Sequence, residues 1–296
     1  MADLLPLVTL VGEAWDDYGL VDSGNGRKLE RYGRYRFIRP EPQAMWAPAL
    51  PASDWEVADG EFIPASDDDG GGRWYYNKPV PTEGWPLAWR ETRFTAQCTP
   101  FRHLGFFPDM APVWDWLRGQ VADKADPAFL NLFGYTGVGS QALAAAGAAV
   151  THVDASKKSV GQARENAALA GMADKPVRWI VDDAGKFTAR EVRRAKRYDA
   201  ILLDPPKFGR GPGGERWQLE EGLAPLLTDC RQLLDADSRA LFLTVYAVRM
   251  SALAIGELVA QLFTDLPGKV ECGELAVREE ARGLLLPTAI FARWSR

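Results

Sequence analysis

Asn131-Leu132-Phe133-Gly134-Tyr135-Thr136-Gly137-Val138-Gly139-Ser140 decides the fold of this chain. A short apolar run over 129–133 stops at glycines spaced G-x-x-G-x-G, and an alanine-rich stretch over 141–146 follows. That order predicts a strand, a tight turn and a helix, because glycine permits both tight reversal and close approach to the backbone. Further on, Ala200-Ile201-Leu202-Leu203-Asp204-Pro205-Pro206-Lys207-Phe208 reads as a buried strand ending on an acid and two prolines. Proline cannot donate to a sheet ladder, so the strand must stop there.

Outward from these stretches, strands and helices alternate. Strands are expected over 150–153, 177–181, 198–203 and 239–245, and helices over 111–120, 156–170, 184–197, 218–234 and 250–263. Ser156 is placed to cap its helix and Gly171 to stop it. Two late strands, over 270–275 and 288–294, follow each other without a helix. The pattern predicts an α/β fold: a doubly wound, mostly parallel, seven-stranded Rossmann-like sheet with an antiparallel hairpin at one edge.

Residues 1–98 have another texture and form the first expected domain, with 99–296 the second. Tyr18 to Ser23, a Gly24-Asn25-Gly26 turn and Arg27 to Tyr32 read as a β-hairpin. Asp67-Asp68-Asp69-Gly70 reads as a loop tip ahead of a strand at Arg73-Trp74-Tyr75-Tyr76. Trp15, Trp46, Trp55, Trp74, Trp85 and Trp89 suit either a small β core or an aromatic platform for bases, and the core reading is preferred.

Composition narrows the classes. No apolar run reaches the roughly 20 residues of a membrane helix, and Met1-Ala2-Asp3-Leu4 begins no signal segment, so a cytoplasmic location and no membrane partner are expected. Three scattered cysteines and two histidines indicate neither a disulfide framework nor a metal site. A net charge of −5 argues against a general nucleic-acid coat but allows a local basic face. Of two basic clusters, the run from Lys186 to Arg197 is expected to be solvated and paired with acids, while the one around Arg27-Lys28 to Arg39 reads equally as such a face or as a local basic face.

In an open parallel sheet a ligand sits beyond the carboxyl ends of the strands, and every notable residue falls there. Gly134, Gly137 and Gly139 shape the first loop, and their spacing differs from the G-x-G-x-x-G of dinucleotide sites. Asp154 ends the second strand, where a carboxylate can accept from two ribose hydroxyls. Asp182-Asp183-Ala184 ends the third; Asp183 is either an adenine acceptor or a helix cap. Asp204-Pro205-Pro206-Lys207 forms a rigid acceptor loop, and the carbonyl between the prolines and the Asp204 carboxylate can hold a polar substrate group. The Gly209 to Gly214 segment, with Arg210 and Arg216, reads as a flexible lid.

With these residues in place the chain resembles the class I S-adenosylmethionine-dependent methyltransferases. More narrowly, it resembles the large-subunit rRNA methyltransferases of the 5-methylcytosine and 7-methylguanine type. Asn131 to Gly137 is close to that family's N-[LC]-F-S-Y-T-G, Val153-Asp154-Ala155-Ser156 to its V-D-x-S, and Asp204 to Phe208 to its D-P-P-[KT]-F. Gly105-Phe106-Phe107-Pro108-Asp109 is similar to its G-[FL]-[FY]-x-D segment, although the family's arginine two residues later is Ala111 here. The resemblance implies S-adenosylmethionine bound by Asp109, Phe133, Gly134, Tyr135, Thr136, Gly137, Gly139, Asp154, Ala155, Ser156, Asp183, Ala184 and Asp204. It implies catalysis by Asp204, Pro205, Pro206 and Lys207, no metal, and RNA, foremost rRNA, as substrate. Where the 5-methylcytosine members carry a nucleophilic cysteine after the fifth strand, this chain reads Thr244-Val245-Tyr246-Ala247. Carbon methylation of a pyrimidine needs that covalent adduct, so a nitrogen or oxygen acceptor is expected. The alternatives are an NAD-dependent oxidoreductase on the same sheet and a non-catalytic RNA module that keeps a cofactor pocket.

Overall fold

A computed structural model describes residues 5–65, 71–246 and 249–296; the expected loop tip at Asp67 to Gly70, the first four residues and Ala247 lie outside them. Contacts divide the chain into two compact units. One takes Val11–Pro112 with Ala276–Thr288, and the other takes the residues up to Leu10, Val113–Leu275 and Ala289–Arg296. The boundary expected between 98 and 99 differs from the contact division, which carries the β-rich unit on to Pro112 and adds Ala276–Thr288 to it.

β1 (Leu7–Gly12) belongs to the large sheet. The β-rich unit follows with β2 (Tyr18–Gly24), β3 (Arg27–Tyr32), β4 (Tyr35–Pro40), a single-turn α1 (Ala52–Glu56), β5 (Gly60–Pro64) and β6 (Gly72–Tyr76). β2 to β6 form one sheet in sequence order, and β7 (Trp85–Trp89) and β8 (Thr92–Ala96) pair separately. The β2–β3 hairpin turns on Asn25 and Gly26, both at positive φ (52° and 73°), the pair of angles that a twist-matched two-residue turn requires.

The tryptophans of this unit serve its interior. Trp55 donates to Asp22 Oδ2 at 2.9 Å, Trp85 to Tyr32 O at 3.1 Å and Trp74 to Thr99 O at 2.7 Å. Phe37 packs on both Trp74 and Trp85. The same core holds Glu30, clamped by Arg39 Nε and Nη2 at 2.7 and 2.8 Å and accepting from the Tyr18 and Tyr32 hydroxyls. Burial alone would raise the Glu30 carboxyl, but Arg39 and Lys28 outweigh it and hold it down at about 2. The basic clusters are largely paired: Arg27 with Glu61, Lys28 with Glu41, Arg190 with Asp182, Arg194 with Glu191.

The larger unit continues with α2 (Ala111–Gln120), β9 (Ala128–Leu132), α3 (Val138–Ala145), β10 (Ala149–Asp154), α4 (Lys157–Leu169), β11 (Val177–Val181), α5 (Ala184–Arg193) and β12 (Ala200–Leu203). Then come β13 (Phe208–Arg210), β14 (Arg216–Gln218), α6 (Leu219–Gln232), β15 (Ala240–Val245), α7 (Ala252–Leu262), β16 (Lys269–Arg278) and β17 (Leu285–Ser295). Ser156 caps α4 by accepting from Ser159 N, and Gly171 follows at φ 67°, as their positions predict. α5 ends earlier than 197 because the chain turns left-handed at Ala195 (φ 52°).

The sheet runs β1-β16-β17-β15-β12-β9-β10-β11, with β15, β12, β9, β10 and β11 parallel and β17 antiparallel to β15. Helices cover both faces, so the central strands are mostly apolar, with Asn131, Thr151 and His152 the buried polar residues of β9 and β10. Leu130, Leu132, Ile201, Leu203, Leu241 and Leu243 are all buried against α6 and α7 residues such as Leu227 and Val259. Two details differ from expectation. Among the described residues the sheet has eight strands, and the β16–β17 pair is not its edge, because β1 lies beyond β16. β1 alternates exposed and half-buried residues, too little apolar burial to announce a strand. The segment expected as a flexible lid is the paired hairpin β13–β14.

Candidate functional site

The strand order reverses between β12 and β9, since β10 and β11 extend one way and β15 the other. That is where an α/β sheet opens a crevice for ligand. Register aligns Val153, Leu132, Leu203 and Leu243 across the four central strands. The next residue on each, Asp154, Phe133, Asp204 and Thr244, therefore lies at the same level.

The β9 loop achieves its turn in an unexpected way. Phe133 and Tyr135 take the left-handed angles, at φ 58° and 49°, while Gly134 between them does not. Such angles in bulky residues are strained and persist only where surroundings enforce them. Gly134 is needed for another reason: a Cβ there would lie 2.5 Å from Cε1 and Nδ1 of His152. That ring is fully buried, bonded through Nδ1 to Ser140 Oγ at 2.9 Å and packed on Trp179. Burial pushes His152 down to about 3, so it is neutral. Gly139 is likewise backed by Trp114, whose Nε1 would be 2.9 Å from an added Cβ. Gly137, at φ 80°, is the N-cap of α3.

Asp154 faces this loop. Its Oδ2 accepts from Tyr135 N at 2.9 Å and its Oδ1 from Ser156 N at 2.8 Å. Burial raises its pKa, and the two backbone N–H groups oppose that rise. A carboxylate offers about four acceptor positions, so each oxygen keeps one for a hydroxyl donor. The Asp154 charge and, more strongly, burial push Tyr135 up to about 12. Thr136 is buried and its carbonyl accepts from Asn166 Nδ2 at 2.9 Å. Ala155 is half-buried and Ser156 exposed.

At the end of β11 the two acids divide their tasks. Asp182 pairs with Arg190. Asp183 is the N-cap of α5, its Oδ1 accepting from Lys186 N at 2.9 Å. Ala184 starts that helix and is buried.

At the end of β12, Asp204 Oδ1 accepts from the Thr244 hydroxyl. The Pro206 carbonyl accepts from Trp217 Nε1 at 2.7 Å. The Pro205 carbonyl, between the two prolines, accepts no hydrogen bond among the described residues. Lys207 is exposed, with Nζ 5.3 Å above the Phe208 ring. Asp109 lies in the β-rich unit, 7% exposed, within a 3-10 turn over Pro108–Met110.

The larger unit thus brings the loops of Gly134, Asp154, Asp183 and Asp204 to one edge. The supporting residues His152, Trp114, Thr244 and Trp217 had no sequence signal, because each acts across a long chain separation. Among the described residues no group of three or more His, Cys, Asp or Glu is placed to hold a metal.

A family model for S-adenosylmethionine-dependent methyltransferases matches residues 25–215, more than half of the chain. The chain belongs to that family. The match begins inside the β-rich unit, so the likeness is not confined to the sheet. A crystal structure of the S-adenosylmethionine-dependent methyltransferase from Agrobacterium tumefaciens is 46% identical, covers 100% of this chain and 96% of that one, and superposes with a TM-score of 0.92. Among curated relatives, ribosomal RNA large subunit methyltransferase K/L of Methylococcus capsulatus is 36% identical over 132 residues, 43% of this chain and 18% of that protein. Ribosomal RNA large subunit methyltransferase I of Alteromonas mediterranea is 36% identical over 93 residues, 31% of this chain and 23% of that protein. The chain thus spans less than a quarter of these two relatives' length.

Membership makes this protein a methyltransferase enzyme that uses S-adenosylmethionine, and sets aside the oxidoreductase reading. The site fits that cofactor. Asp154 has acceptor positions left for a pair of ribose hydroxyls, and the protein itself fills the space behind Gly134 and Gly139, leaving the loop's other side for a ligand.

Proposed function

We propose that this methyltransferase modifies RNA, with large-subunit rRNA the leading candidate, at a nitrogen or oxygen atom. The observation that carries the RNA part is the likeness of part of this chain to two different large-subunit rRNA methyltransferases. The acceptor chemistry is argued from the β12 loop and from the cysteines.

In this reading Asp154 holds the ribose of the cofactor, while Asp183 and the backbone N–H of Ala184 read the adenine. Phe133, Gly134, Tyr135, Thr136, Gly137 and Gly139 shape the wall of the pocket, with Ala155 and Ser156 beside Asp154. Asp109 is carried from the family resemblance alone. When bound, the cofactor supplies an electrophilic methyl group on a sulfonium. Transfer by in-line displacement depends on alignment more than on a strong base. Asp204, steadied by Thr244, and the unpaired Pro205 carbonyl accept the N–H or O–H hydrogens of the acceptor group and turn its lone pair toward the methyl. Pro206 is fixed by Trp217, and Lys207 steers a phosphate.

Cysteine chemistry is disfavoured. Cys230 and Cys272 are buried, and burial raises both thiols. Burial pushes Cys98 up to about 11, whereas a nucleophilic cysteine is normally held low.

The test is transfer of labelled methyl to RNA, protein and small-molecule fractions from a strain lacking this protein. Label in a nitrogen- or oxygen-methylated nucleotide of large-subunit rRNA is the expected result. Label confined to protein or small molecules refutes the RNA reading, and a C5-methylated pyrimidine refutes the acceptor chemistry.

A further inference from the structure

The hairpin β13–β14 leaves the acceptor loop directly, since Phe208 follows Asp204-Pro205-Pro206-Lys207 in the chain. Its register pairs Phe208 with Gln218, Gly209 with Trp217 and Arg210 with Arg216. Directly opposed residues share a face of a β ladder, and alternate positions change face. One face therefore carries Gly209 and Trp217, and the other Phe208, Gln218, Arg210 and Arg216.

The first face is the anchor. Trp217 is buried, packs on Phe133 at 5.1 Å between ring centroids, and donates to the Pro206 carbonyl. A Cβ on Gly222 would meet its ring at 2.6 Å, so the indole is held from α6 as well. The turn is also fastened: Glu215 Oε2 accepts from Gly213 N at 2.8 Å, and Gly211 N donates to Glu215 O at 2.8 Å.

The second face is unsatisfied. Phe208 is 58% exposed. Arg210 and Arg216 are exposed and directly opposed, an arrangement of like charges that destabilises a β pair. Among the described residues neither has a carboxylate within ion-pair distance; Arg216 reaches only Gln218 Oε1, and the nearest acid in sequence, Glu215, pairs with Lys186. In a chain of net charge −5 this is a local exception. A pair of guanidiniums beside an exposed aromatic ring matches one chemistry well: phosphates on the arginines and a base stacked on the ring.

We propose that the outer face of β13–β14 binds the single-stranded RNA next to the acceptor nucleotide, through Arg210 and Arg216 to phosphate and Phe208 to a base. The inference rests on the RNA reading and assigns to this hairpin the grip on the substrate. Its rigid attachment to Pro206 and Phe133 makes that grip also a ruler that sets the acceptor against the β12 loop.

Binding of a short fluorescein-labelled oligouridine, followed by anisotropy across a salt series, tests it. Phe208→Ala should weaken binding about 5- to 150-fold, the span of one lost stacking contact, and Phe208→Trp should retain it. The double variant Arg210→Gln, Arg216→Gln should reduce the slope of log affinity against log salt by about 1.4, two single-strand phosphate contacts. Calorimetric affinity for S-adenosylmethionine should stay at the wild-type value and the melting temperature should not fall below it, because these side chains face outward and the arginine pair repels itself. Variants that bind oligouridine and label RNA as the wild type does overturn the hairpin assignment and leave the RNA reading standing. A wild type that labels no RNA removes the RNA reading itself. Arginine-dependent binding of polyglutamate with none of oligouridine overturns the proposal in favour of an acidic peptide.

Discussion

Gly134→Ala is a small change with a calculable consequence. The added Cβ would sit 2.5 Å from the His152 ring, where real contacts need about 3.5–4.0 Å. The ring has little room to retreat, being fully buried between Ser140 and Trp179. The loop must move instead, by about 1 Å, and overpacking of this kind costs about 1–3 kcal/mol. For a protein of this size that lowers the melting temperature by roughly 2–12 °C. The same shift displaces Tyr135 N from Asp154 Oδ2, so affinity for S-adenosylmethionine should fall as well. His152→Ala removes the obstacle. In a double-mutant cycle read by thermal melts and calorimetry, the pair should recover about 1–3 kcal/mol relative to the sum of the singles. A Gly134→Ala protein that melts and binds like wild type would refute the reasoning, as would a cycle with no coupling.

Asp154→Asn should weaken S-adenosylmethionine binding by about 10- to 100-fold in calorimetry, since an amide NH₂ replaces one acceptor and the hydrogen bonds lose their charge; unchanged affinity would remove Asp154 from the ribose role. Thr244→Val takes the hydroxyl donor from Asp204 and should lower kcat about 5- to 30-fold with little change in cofactor affinity; an equal loss in both would show a general disturbance. Glu30, held down at about 2 by Arg39 and Lys28 against its burial, stabilises the fold above its unfolded pKa of about 4.3, and that contribution fades as pH falls from there through about 2. Denaturant unfolding across that window should show the loss, and Glu30→Ala should cost about 3–5 kcal/mol at neutral pH by stranding Arg39; a pH-independent midpoint would contradict it.

Local chemistry was legible in the sequence where a residue acts on its own neighbours. Ser156 and Gly171 marked the ends of α4, and Asn25-Gly26 marked the first hairpin, because caps and turns are satisfied within a few residues. The level shared by Asp154, Asp204 and the Gly134 loop was also legible, since parallel strands place their ends together. What escaped was long-range. Val150-Thr151-His152-Val153 reads as an ordinary strand, and nothing in it says that His152 dictates a glycine at 134. The spacing of the glycines suggested room for a ligand, while at Gly134 and Gly139 the room is taken by His152 and Trp114. β1, β13 and β14 escaped because short or half-exposed strands bury too little to print an apolar pattern.

The strand beside β16 has a consequence for the order of events during synthesis. β1 leaves the ribosome well before its neighbour, which emerges about 260 residues later. Until then β1 has no partner, and when β16 and β17 arrive their outer backbone groups are briefly open to any strand nearby. β1 must wait for β16, and the sheet stays vulnerable to aggregation until they meet.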